Sequence, residues 1–215
     1  MDWILLQLAD SAFPTGGFAH SAGLEAAAQQ GEVEEGAVGA WARQTIWQAG
    51  FFSLPFVGAA HDAPRELAAL DRRCDSYLNN PVANRASSLQ GRAFMAACAA
   101  AFGSRRLRRW ADAEELSLHH APAFGVAAAE LGTTRLDAQR VYLFAALRSG
   151  LSAAVRLGLT GPLESQRLQA GLAPTLDKAL ARCAGVAVDD AAQTAPILDL
   201  LQGAQDRLYS RLFQS

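Results

Sequence analysis

Lysine is nearly absent: Lys178 is the only one, and the remaining basic residues are arginines. Cysteine is also sparse. Cys74, Cys98 and Cys183 are far apart and odd in number, and no CxxC pair occurs. That excludes a disulfide framework and suits a reducing cytosol. Val, Ile, Thr and Tyr are scarce while Ala and Leu are abundant, which disfavours a large sheet and favours helix. The phosphate-cradling patterns GxGxxG and GxxxxGKS/T are missing, as are GxSxG, HExxH and DxDxDG; no nucleotide fold, nucleophile elbow or metal loop is signalled. Four histidines are a thin supply for a transition-metal site. The longest apolar run, AFMAACAAAFG over 93–103, falls well short of the ~20 residues that span a bilayer. The opening MDWILLQLADSAF carries an acid where an export signal carries bases, so a cytoplasmic protein without a membrane span is expected.

What is present is 215 residues, 51% apolar and 19% charged, with a net charge of -2. This length supports one core, and a single domain over 1–215 is expected. The apolar content excludes disorder along most of the chain. The balanced charge gives no reason to expect nucleic acid or an anionic membrane as partner.

Periodicity predicts helix almost throughout. Ile4, Leu5, Leu8 and Ala12 mark a helix over 2–12, which Pro14 stops. A second is expected over 17–30, ending at Gly31, and a third over 34–50. Pro55 sits early in a helix over 53–62, and Pro64 opens one over 65–78. A long helix over 82–102 places Phe94, Cys98 and Phe102 on one face. Further helices are expected over 111–117, 122–131, 135–158, 163–183 and 195–213. The expected fold is thus an all-α, single-domain bundle of about ten helices, with no repeat or linker.

The segment 135–158 is apolar around most of its girth. Asp137, Arg148, Ser149, Ser152 and Arg156 share about a third of its circumference at 100° per residue. Such a helix belongs at the centre of a bundle or at a subunit interface.

Candidate reactive groups are few. His119 and His120 are neighbours in sequence, so their side chains diverge; a helix-end role is expected for them. His20 and Glu25 would suit acid–base work, but no nucleophile accompanies them, and a buried hydrogen-bonded pair ordering the turn at Pro14–Gly17 is the better reading. Arg105–Arg109 reads as a solvated helix end or loop. The residues alone describe a helical domain that makes protein contacts.

Five segments resemble the urease accessory protein UreF family: LLQLADSAFPTGGFAHSAGLE (5–25), NPVANRASSLQGR (80–92), HAPAFGVAAAELG (120–132), RVYLFA (140–145) and LYSRLF (208–213). They occur in order across nearly the whole chain. The resemblance implies a non-enzymatic homodimer that binds UreD (also called UreH) and the GTPase UreG. That assembly delivers Ni²⁺ to apo-urease, with GTP bound by UreG and no cofactor or metal held stably by this chain. It also implies that Pro14, Gly16, Gly17, Phe18, His20 and Glu25 face UreG or support the surface that does. Arg140 and Phe144 are expected at a dimer interface through the central helix. Tyr209, Ser210 and Arg211 are expected in a tail that orders on UreD, with 1–12 and 205–215 as mobile termini. Phe18 and Phe144 stand where the family often has Tyr. The alternative is a nickel-binding carrier using His20, His119, His120 or Cys98; a hydrolase using His20 and Glu25 ranks third.

Overall fold

Leucine and alanine at helical spacing organise the computed structural model, which describes residues 3–215, the Glu35 side chain excepted. Helices account for every regular element among the described residues, and no strand occurs. α1 covers Trp3–Ala9. The single helix expected over 17–30 is instead a short 3-10 turn, Gly17–Ala19, followed by α2, Leu24–Gln29. Between them His20 is extended, and Ala22 and Gly23 turn left-handed, with φ of 52° and 86°. The cause is tertiary. A Cβ at Gly23 would meet the Gln202 backbone at 2.9 Å, so the chain bends where another segment crosses it.

Two helices expected over 34–50 and 53–62 are one rod: α3, Val38–Gln48, a π segment, Ala49–Ser53, and α4, Leu54–Asp62. Pro55 has no N–H to give back to Phe51. The wide π turn absorbs it, and the Phe51 carbonyl accepts instead from Ala192 N at 3.2 Å. α5 spans Leu67–Tyr77. α6 spans Pro81–Ala101, with the Asn80 side chain accepting from Val82 N and Ala83 N, a strong N-cap.

The stretch expected to be helical at 111–117 is mostly loop. The basic run itself forms α7, Arg105–Ala111, capped by Ser104 and anchored by the buried Leu107. α8 covers His120–Glu130 and α9 covers Arg135–Arg156, capped by Thr134. The helix expected over 163–183 divides into α10, Pro162–Gly171, and α11, Ala173–Cys183; Pro174 cannot donate to the preceding turn. α12 spans Pro196–Gly203 and stops well before 213.

α9 is the axis. It packs against α1, α2, α3, α4, α8, α10 and α11, so most of its apolar girth is covered by this chain's own helices. Phe144 is one of the partly exposed exceptions. With Leu5, Leu6, Val141, Leu176 and Leu180 it lines a groove of about 360 Å³ between α1, α9 and α11.

The segment Asn80–Arg92 is explained by packing. α6 lies so close to the strap before α8 that a Cβ at Gly91 would sit 1.8 Å from the Leu118 carbonyl oxygen. Ser88 and Arg92 donate to the carbonyls of Ser117 and Leu116, and Ser87 accepts from His120 N. Beneath the strap, Phe94 and Phe124 stack with ring centres 4.9 Å apart. Among the described residues, no helix is long and apolar enough to cross a membrane.

Candidate functional site

Glu25, at the start of α2, is 2% exposed. A buried carboxylate needs partners, and these come from the far end of the sequence. Its Oε1 accepts from Leu212 N at 2.6 Å, and its Oε2 from Phe213 N at 3.0 Å and from Gln205 Nε2 at 2.6 Å. Nearby, Ser21 donates through both N and Oγ to the Ser215 carbonyl. Gln214 N donates to the Ala19 carbonyl at 2.8 Å. His20 Nδ1 and Ser215 Oγ share a hydrogen bond at 2.7 Å. Burial, and secondarily Arg85, hold the His20 pKa below the ordinary imidazole value. His20 and Glu25 therefore do not form the pair expected from sequence; each binds residues near position 215.

The same junction displays an aromatic ring. Phe18 is 72% exposed, yet the Arg156 guanidinium carbon lies 3.6 Å from its ring centre and 4.1 Å from that of the buried Phe213. Arg156 also donates to the Phe18 carbonyl. Cation–π contact and hydrogen bond together fix the ring while leaving a face in water. Pro14 and Gly16 are exposed beside it; Gly17, half-buried, receives a long contact from Ser149 Oγ, 3.5 Å to its carbonyl. Tyr209 is fully exposed. The Ser210 carbonyl accepts from Gln29 Nε2 at 3.0 Å, and Arg211 pairs with Asp206 at 3.1 Å. The two groups that the sequence separates, Pro14–Glu25 and Tyr209–Arg211, thus lie on one interlocked surface.

Arg140 and Phe144 lie elsewhere, on the apolar groove. Phe144 and Arg156 are 12 residues apart on α9, about 18 Å along its axis. Arg140 pairs with Asp137.

The UreF family profile matches residues 32–173. The chain belongs to the UreF family. It is 38% identical to urease accessory protein F of Oryza sativa subsp. indica over 98% of this chain and 84% of that protein. It is 37% identical to urease accessory protein F of Arabidopsis thaliana, over 100% of this chain and 93% of the relative. It is 32% identical to urease accessory protein UreF of Granulibacter bethesdensis, over 98% and 92%. As a UreF-family member it is an accessory protein with a role in urease maturation, not an enzyme.

The cysteines, His119 and His120 are packed by their neighbours. Burial pushes the Cys98 thiol up to about 12 and raises Cys74 and Cys183 too, so all three stay protonated and unreactive at neutral pH. His119 sits at the N-cap position of α8 without a side-chain capping bond; its backbone N donates to Asp71 and its ring Nε2 meets Asp75 at 3.1 Å. His120 packs among the rings of Phe94, Phe124 and Tyr142, and its pKa is lowered to about 4, first by burial and then by His20. Among the described residues, no three His, Cys, Asp or Glu side chains converge as metal ligands.

Sequence reasoning missed Arg156, Gln205 and Phe213 as parts of this surface. Arg156 had a signal, as a charge in the narrow polar sector of an otherwise apolar helix. Gln205 had none.

Proposed function

We propose that this chain is a cytoplasmic scaffold of urease maturation. It binds UreD (UreH) and recruits the GTPase UreG, so that Ni²⁺ enters apo-urease in a GTP-dependent step. Nickel is handled by the assembly and GTP by UreG. The observation that carries this reading is the interlocked surface of Phe18, Glu25, Phe213 and Ser215. A fixed, exposed aromatic ring, with a fully exposed Tyr209 on the segment it interlocks with, has the character of an interface anchor. In this reading Phe18 and its loop face UreG, and Tyr209, Ser210 and Arg211 contact UreD. Interlocking lets occupation of one part alter the other.

The test is a pull-down of UreG with and without UreD, comparing the wild type with a Phe18→Asp/Glu25→Gln variant. The variant is expected to lose UreG while remaining folded by circular dichroism. Undiminished UreG capture would overturn the reading.

The groove at Phe144 supports the second element of the reading, a homodimer. An apolar groove bordering the central helix is the kind of surface an obligate partner covers, and a second copy is the occupant proposed.

A further inference from the structure

We propose that the outer face of α7 is a docking surface for an acidic patch on a protein partner. Arg105, Arg108 and Arg109 are exposed and spaced i, i+3, i+4, which places them within about 100° of arc on the helix. Like charges at this spacing repel. None of the three guanidinium groups has a hydrogen bond, ion pair or ring contact among the described residues. Among the described residues Arg65, Arg72, Arg182 and Arg207 also lack a side-chain partner, but none of them lies three or four residues from another unpaired arginine; the other arginines outside α7 are engaged. Arg73, Arg85, Arg135, Arg140, Arg167 and Arg211 each have a carboxylate partner, and Arg92, Arg148 and Arg156 donate to carbonyls.

The mount is rigid. On the inner side of α7, Leu107 is fully buried, and Trp110 and Ala111 pack on the core. Ser104 caps the helix and donates to Glu130 at 3.1 Å, and Arg106 pairs with the same carboxylate at 3.1 Å. The packing fixes the helix backbone, while the three exposed guanidinium forks stay free to turn onto carboxylates, which they match in geometry.

The surroundings select a protein over an extended polyanion. Asp112, Glu114 and Glu115, all exposed, follow α7 directly, and the whole chain is net acidic at -2. A nucleic acid or anionic bilayer would meet these acids as well as the arginines. A folded partner with a local carboxylate cluster meets only what its shape presents.

The inference rests on the scaffold reading for its choice of probes. Purified UreD, UreG and apo-urease are titrated against the full chain by biolayer interferometry over a salt series. Parallel runs use a duplex oligonucleotide and phosphatidylserine vesicles. Arg105→Glu/Arg108→Glu/Arg109→Glu is expected to weaken one protein probe about tenfold at low salt, with a shallower salt dependence. The Gln triple variant falls between. A control of equal charge change, Arg65→Glu/Arg72→Glu/Lys178→Glu, shifts it less than twofold, and circular dichroism verifies folding of all variants. Unchanged binding of every protein probe by both α7 variants overturns the proposal, and so does an equal loss in the control. Binding of the oligonucleotide or vesicles that the α7 variants abolish overturns it in favour of a polyanion. Loss of UreG by Phe18→Asp alone, with α7 variants unaffected, refutes this inference and leaves the scaffold reading intact. A wild type that binds none of the proteins refutes both.

Discussion

Replacing Glu25 by Gln isolates the interlock, because shape is retained while one oxygen becomes a donor. Glu25 receives three hydrogen bonds, from Leu212 N, Phe213 N and Gln205 Nε2. Whichever way the new amide turns, its NH₂ faces a group that itself donates. Hydrogen bonds to a charged group are worth about 1.5–3 kcal/mol each. They are not additive, and the loss is capped by the cost of letting residues 208–215 leave. That cost includes exposing Phe213, roughly 1.5–3 kcal/mol of burial. A loss of about 2 kcal/mol is expected, confined to this segment. It corresponds to roughly 30-fold faster amide hydrogen exchange at Leu212, Phe213 and Gln214. Exchange in α9, held by its own packing, should remain within about twofold. If the three amides exchange as slowly in the variant as in the wild type, the carboxylate does not hold the segment and the argument fails.

Gly91→Ala should destabilise the protein by about 1–3 kcal/mol, since the new methyl meets the Leu118 carbonyl; an unshifted thermal midpoint would refute the close approach. Phe144→Asp should give a monomer by light scattering, and an unchanged dimer mass would remove Phe144 from the interface. His120 gives a pH prediction. Its folded pKa of about 4 lies below the unfolded 6.5, so the unfolded state binds the proton first. Its contribution is complete above pH 6.5 and is lost as pH falls towards 4, by roughly 3 kcal/mol at most. Urea unfolding at pH 7 and 4.5 should show this difference shrinking in His120→Gln; an equal difference in both proteins would sink the assignment.

The helical class was readable because its signals are local. Pro64 marks a helix start, and the narrow polar sector of 135–158 identified the central helix. Expectations failed where distant segments intervene. Residues 17–30 have helical composition, but the crossing of Gln202 at Gly23 bends them. Residues 195–213 have a helical period, but α12 ends at Gly203 and Glu25 takes the amides of Leu212 and Phe213. Arg105–Arg109 looked like a helix end, whereas Ser104 and Leu107 make it a helix. The motif residues around Phe18 and Glu25 were picked out by resemblance, and their partners were invisible because they lie 187 and 188 positions away.

Joining Ser21 and Glu25 to Leu212 and Ser215 also sets a clock. His20 must wait for a residue synthesised 195 positions later. At ~5–20 residues per second that interval is on the order of 10–40 s. A polypeptide whose synthesis halts before Leu212 therefore lacks the finished surface.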